Sequence, residues 1–266
     1  MNSPVISIIT SVRNAAPFID GLLKNVVSQT CFSQCEWIII QPKGDGFCLD
    51  TDKAIKNYQE QYSNIFYTYL DKDPGVYAVW NRCIVKSSGK FVTNWNCDDR
   101  RQPDSLQKQI DFFDQNSDVD LLYNDQYWHS TPNWIPWDSR YSGVDPYPIH
   151  HTLNELGKPK PQYSLQCIKK NLPHNDPIWR MGLHEEFGYF REDTTTVADH
   201  EFWLRCATAG SKFAKMDDII GIYYRNPEGI STREENKHKI SQEMEEIIFP
   251  ITDKIIQGNY VHDWTN

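Results

Sequence analysis

The sequence predicts an α/β fold with a central mixed, mostly parallel sheet flanked by helices. Three observations point there. Short β-branched runs alternate with amphipathic stretches through the first half of the chain, the pattern of βαβ units. A length of 266 residues suits one continuous α/β unit. Hydrophobic residues make up 39% and aromatics 13%, with both charge signs interspersed, enough for a large core and without the composition of a disordered chain.

Strands are expected at residues 5–12, 36–41, 65–70, 90–95 and 120–123. Pro17 opens a helix after the first strand, where its missing N–H costs nothing. Val76, Val79, Cys83 and Ile84 form an apolar helical stripe, and Leu106, Ile110 and Phe113 form another behind Pro103. Residues 128–148 are rich in Pro and Trp and have no period, which reads as a long loop or a substrate-facing insertion. Regularity returns at residues 184–190, then in a helix from 198 that Gly210 ends, and in a strand-like IIGIYYR. From 231 to 248 charged and apolar residues alternate as in an exposed amphipathic helix. An open α/β sheet binds ligands at the carboxyl ends of its strands, so the loops after Val12, Gln41, Leu70 and Trp95 matter most.

Charge and cysteine usage exclude several classes of function. Lys and Arg number 27 against 36 Asp and Glu, a net of −9, which repels a polyphosphate backbone; nucleic acid is not an expected partner. Seven cysteines, at 31, 35, 48, 83, 97, 167 and 206, cannot all pair, and Cys31/Cys35 lacks the second pair that a zinc site needs. No leader-like start, no apolar run near 18 residues and no glycosylation sequon occurs. A soluble, cytoplasmic protein without a transmembrane segment is expected.

The run FVTNWNCDDR carries the sharpest chemistry. If the strand continued, Asn96 and Asp98 would share one face and Asp99 the other. Two oxygen ligands would then meet a hard divalent ion, Mn²⁺ or Mg²⁺, which completes its shell with water and phosphate oxygens. A simple acidic strand end that caps the helix after Pro103 explains the same residues. Asp73 and Gly75 can likewise be a ligand-facing helix entry or only a turn.

Three blocks in order, VISIITSVRN, YLDKDPGVYAVWNRCIVKSSGKFVTNWNCDD and DPIWRMGLHEEFGYF with ADHEFWLR, resemble the family-2 glycosyltransferases of GT-A fold over about residues 4–230. The resemblance implies a single domain over 1–266. Within it, 1–125 would be the nucleotide-sugar half, 126–230 the acceptor and catalytic-base half, and 231–266 a C-terminal helical extension. It puts Thr10, Ser11, Val12, Arg13, Gln41, Asp73, Tyr77, Asn81, Asn96, Cys97 and Asp98 on the nucleotide sugar. The family's Asp-x-Asp metal motif falls on Asn96 and Asp98, with Asn in first place. Trp179, Arg180 and His184 fall on the acceptor side. Asp199 takes the place of the general base, with Ala198 where relatives have Glu.

The implied activity is transfer of a sugar, from a UDP-sugar in the first instance, to an acceptor hydroxyl of a glycan, with inversion at the anomeric carbon. Asp199 would remove the hydroxyl proton, and the metal would stabilise the departing diphosphate. Glu201 is the alternative base, but two residues along a helix is about 200° of rotation, so only one of the two can face the acceptor. Gln41 departs from the family, whose second strand ends in Asp; its amide could read uracil or another base. Trp128, Trp134 and Trp137 are candidate sugar-stacking faces. A nucleotidyltransferase and a carbohydrate-binding derivative without turnover are the rival readings, and the oligomeric state is open.

Overall fold

The computed structural model describes residues 3–129, 146–147, 171, 173 and 176–257. Its elements in chain order begin with β1 (Ile6–Ser11), α1 (Ile19–Val27), β2 (Cys35–Pro42), α2 (Leu49–Gln61), β3 (Ile65–Leu70), α3 (Val76–Lys86) and β4 (Phe91–Asn94). There follow β5 (Arg100–Arg101), α4 (Ser105–Gln115), β6 (Leu121–His129), β7 (Pro146–Tyr147), β8 (Ile178–Arg180) and α5 (Gly182–Phe187). The described chain closes with α6 (Ala198–Thr208), β9 (Phe213–Tyr224), α7 (Lys237–Glu243) and α8 (Phe249–Ile256).

The sheet runs β3-β2-β1-β4-β8-β6-β9-β5, with β7 on β6. Strands β3, β2, β1 and β4 are mutually parallel, as are β6 and β9. β8 lies antiparallel between β4 and β6. β1 and β2 are hydrophobic almost continuously because both their faces are covered. Ile6, Ile8, Trp37 and Ile39 face a core with Leu22 and Val26 of α1, Leu106 of α4 and Ile55 of α2. Ile9, Ile38 and Ile40 face the other, with Val79 of α3 and Phe202 and Trp203 of α6. The order 3-2-1-4 reverses direction at β1, so a crevice opens beyond the carboxyl ends of β1 and β4.

Several elements differ from the sequence-based expectation. β4 ends at Asn94 and the chain turns at 97–98. β6 reaches His129, beyond the expected 123 and into the segment read as irregular. Residues 178–180 form a strand that the sequence did not suggest, because three residues between a Pro and a Met-Gly turn carry no readable period. The exposed helix after 231 is broken: α7 passes through a π-turn over Met244–Ile248 into α8. Pro250, at the start of α8, has no N–H to give to the preceding turn. Gly210, at φ +96°, does end α6.

Candidate active site

The crevice is a cleft of about 1010 Å³ over the ends of β1, β3 and β4. Ser11, Arg13, Asp73 and the 96–98 turn line it together with Asp199 and Asn171. Tyr223 and Tyr224, the last residues of β9, and Asn226 just past it complete the lining. Gly75 enters α3 at φ +96°, a conformation that suits glycine, and its N–H is held by Asp73 Oδ1 at 2.9 Å. Arg13 lies 3.1 Å from Asp73, tying the end of β1 to that of β3.

The turn after β4 corrects the face assignment made from strand alternation. Asp99 N–H closes back on Asn96 O at 3.4 Å, and Asn96 Nδ2 donates to Asp99 Oδ2 at 2.8 Å, so those two side chains meet. Asp98 instead lines the cleft, where its Oδ2 accepts from Asn226 Nδ2 at 3.0 Å. Asp99 is 1% exposed and accepts from the Tyr224 N–H at 3.2 Å. Burial, and then the neighbouring Asp98 and Asp176 charges, push Asp99 well above the carboxylate range. Burial also raises Asp98, against the opposing hydrogen bond from Asn226.

Two buried arginines hold this turn from beneath. Arg100 donates to Cys97 O, Asp99 O and Phe18 O. Arg101 lies over the Trp95 ring, donates to Thr93 Oγ1 and Asn94 O, and pairs with Asp176 at 2.9 Å. Gln126 Nε2 donates to that same carboxylate at 2.6 Å. Gly221 makes the space: a Cβ there would lie 1.7 Å from Asp176 Oδ2.

Asp98 and Asn96 both line the cleft, whereas Asp99 is buried with its oxygens engaged by Asn96 and Tyr224. Among the described residues no three His, Cys, Asp or Glu side chains gather into a metal cage. One carboxylate and one amide oxygen, from Asp98 and Asn96, fit Mn²⁺ or Mg²⁺, which draw the rest of their shell from phosphate and water. They do not fit zinc, which asks for a fuller protein shell.

Asp199, which also lines the cleft, is the second residue of α6. Its Oδ1 accepts from the Tyr77 hydroxyl at 3.0 Å and its Oδ2 from Asn171 Nδ2 at 2.7 Å. Burial, then the charge of Asp199, raise the Tyr77 hydroxyl well above its ordinary value, so it remains a donor. Glu201 points elsewhere. It is buried in an ion pair with Arg205 at 2.7 Å, and Arg205 in turn donates to Phe187 O and Tyr189 O. The alternative base therefore does not line the cleft, in keeping with the helical rotation.

The three expected acceptor residues are not at the cleft. β8 runs inside the sheet, so its side chains enter the cores. Trp179 is 0% exposed, and its Nε1–H donates to His184 Nε2 at 2.9 Å. His184 stacks on Phe202 with centroids 4.7 Å apart. Arg180 lies over Phe91 and Phe113 and donates to Ser117 O and Val119 O. Trp134 and Trp137 fall outside the described residues, as does the side chain of Trp128.

The expected nucleotide-sugar residues divide into two groups. Ser11, Arg13, Asp73, Tyr77, Asn96, Cys97 and Asp98 line the cleft. Thr10, Val12, Gln41 and Asn81 are buried behind it. Thr10 Oγ1 donates to Trp95 O and accepts from Trp37 Nε1. Gln41 Oε1 accepts from the Tyr67 hydroxyl, which also reaches Asp52. Asn81 exchanges hydrogen bonds with the backbone of Phe190 and reaches Glu192. These four are supports for the lining, because the inward phase of a doubly covered strand or helix takes their side chains into the body. Asn226 and Tyr223 were missed, although Arg225-Asn226-Pro227 directly follows a strand and so marks a carboxyl-end loop. Asn171 carries no local signal.

The family description "Glycosyl transferase family 2" matches residues 7–193. The chain belongs to this family. As a family-2 glycosyltransferase it is 22% identical over 235 residues to an uncharacterized glycosyltransferase of Methanocaldococcus jannaschii, covering 85% of this chain and 72% of that one. It superposes on S. aureus TarS 1–349 in complex with UDP-GlcNAc with a TM-score of 0.66 and 17% identity, over 96% of this chain and 71% of that one. Against the S. aureus TarS chain of another structure it spans only 42% of that chain's length. A mannosyltransferase from Pyrobaculum calidifontis, PcManGT, in complex with GDP-Man and Mn²⁺, gives 0.66 and 14% identity, over 98% of this chain and 70% of that one. These likenesses establish the GT-A fold. The matched family segment contains Asp98 and stops short of Asp199.

Proposed function

We propose that this family-2 glycosyltransferase moves one sugar from a nucleotide sugar, a UDP-sugar in the first place, onto a hydroxyl of a glycan acceptor, with inversion. The observation that carries the reading is that Asp98 and Asp199 line one and the same cleft at the carboxyl ends of the strands. Asp199 takes the acceptor's proton as its oxygen attacks the anomeric carbon. Tyr77 and Asn171, both neutral donors, hold the carboxylate so that an acceptor hydroxyl meets a fixed acceptor of protons. Asp98 and Asn96 would hold Mn²⁺ or Mg²⁺, whose charge stabilises the departing diphosphate. With one base and attack opposite the leaving group, configuration inverts. Arg13, Asp73 and Ser11 border the donor's side.

We take 1–266 as one catalytic unit and place it in the cytoplasm, on the strength of the free thiols Cys31, Cys35, Cys48, Cys83, Cys97 and Cys206. No helix among the described residues is long and apolar enough to cross a membrane. The test is incubation with Mn²⁺ and a panel of UDP-, GDP-, CDP- and dTDP-sugars, with release of nucleoside diphosphate measured against monosaccharide acceptors. Metal-dependent release with one nucleotide preferred is expected. Pyrophosphate release from a nucleoside triphosphate would overturn the reading in favour of nucleotidyl transfer, and sugar binding without turnover in favour of a binding protein.

A further inference from the structure

α7 inverts the usual logic of a surface helix. Of its seven residues, Lys237–Glu243, the only buried one is a glutamate. Helices normally bury an apolar stripe, and a buried carboxylate is costly unless hydrogen bonds satisfy it. Glu243 is 7% exposed and its bonds go to a single place. Oε1 accepts from the Thr195 N–H at 2.6 Å; Oε2 accepts from the Thr196 N–H at 3.0 Å and from Thr196 Oγ1 at 3.1 Å. Thr195 and Thr196 belong to the loop that leads into α6, and Asp199 follows on the first turn of that helix. Their backbone N–H groups would otherwise have to find partners in a part-buried loop.

We propose that Glu243 is a positioning residue for transfer: by fixing the 195–196 backbone it sets the entry of α6 and with it the direction of the Asp199 carboxylate. The proposal rests on the reading of Asp199 as the base. It gives the segment after 231, which lies beyond the matched family region, a part in the reaction. Arg191, Asp193 and Lys239 border a smaller cavity beside Glu243, so water has access to the clamp once it is weakened.

The test compares Glu243→Ala, Glu243→Gln and Asp199→Asn, using release of UDP from UDP-GlcNAc or of GDP from GDP-Man, whichever the wild type turns over. Glu243→Ala is expected to lower kcat by about 10- to 100-fold with donor KM unchanged, the scale of a misplaced catalytic group. Glu243→Gln, which keeps the volume and one acceptor oxygen, should recover part of the loss; it decides the matter if the Ala variant does not fold. Adding Glu243→Ala to Asp199→Asn should cost nothing further, and an additive loss would overturn a role exerted through Asp199. Wild-type kcat in both Glu243 variants, with Asp199→Asn inactive, overturns the proposal alone. Normal turnover of Asp199→Asn instead removes the base on which it rests. Hydrogen exchange at the Thr195 and Thr196 amides provides a readout without turnover: unchanged protection in Glu243→Ala also overturns the clamp.

Discussion

The Tyr77 hydroxyl donates to Asp199 Oδ1 at 3.0 Å across 122 positions of sequence, joining the first turn of α3 to the first turn of α6. Replacement of Tyr77 by Phe removes that donor and leaves the ring in its place. Turnover should fall about 10-fold, less than the roughly 10²- to 10⁴-fold expected of Asp199→Asn. Nucleotide affinity, measured by calorimetry, should hold in both. Glu201→Gln, remote from the cleft, should retain turnover and lose stability, since it breaks the buried pair with Arg205.

Asp98→Ala should abolish the Mn²⁺ dependence of UDP or GDP binding in calorimetry. The apo protein should also respond to pH at this turn. Burial raises Asp98 and Asp99 above the ordinary 3.8, so their contribution to stability is complete below that value and is lost as pH rises through the raised ones. Mn²⁺, which favours the ionised form, should therefore increase Tm more at neutral pH than at pH values near 4. An equal increase at both, or undiminished Mn²⁺-dependent binding by Asp98→Ala, would count against Asp98 as a ligand.

His184 has the opposite sign. Trp179 can only donate and Gly188 O only accept, so His184 is neutral with its proton on Nδ1. Burial lowers its pKa from 6.5 to about 4. Stability from this group is complete above pH 6.5 and is lost as pH falls from 6.5 to 4, amounting to about 3 kcal/mol over that window. Urea unfolding at stepped pH should show the slope, and His184→Gln should flatten it.

Gly221→Ala should destabilise by about 3 kcal/mol or more, the scale of a disrupted buried ion pair. The added methyl would press on the Asp176 carboxylate, which Arg101 and Gln126 hold in place. Denaturant midpoints would measure it; a shift of a few tenths of a kcal/mol would mean that Asp176 can move aside.

Much of the frame was legible because its signals are local. The 65–70 strand is found where expected, since β-branched and aromatic residues there are bounded by polar turns. Asp98 and Asp199 both line the cleft. The failures share one cause, side-chain direction in short or bent segments. Asn96 and Asp99 were placed on opposite faces because extended geometry was carried past Asn94, where the chain in fact turns. The family resemblance put Trp179, Arg180 and His184 on the acceptor side, yet β8 is an interior strand and a three-residue strand has no period to reveal it. Asn171 and Glu243 act through contacts with residues far away in sequence, which no window of sequence contains.

The indoles of Trp179 and Trp203 lie with ring centroids 5.2 Å apart at an interplanar angle of 67°. Transition dipoles at that separation couple strongly, so this pair should imprint an exciton couplet on the circular dichroism spectrum. Because Trp203 shares α6 with Asp199, loosening of that helix could be followed optically, without a label.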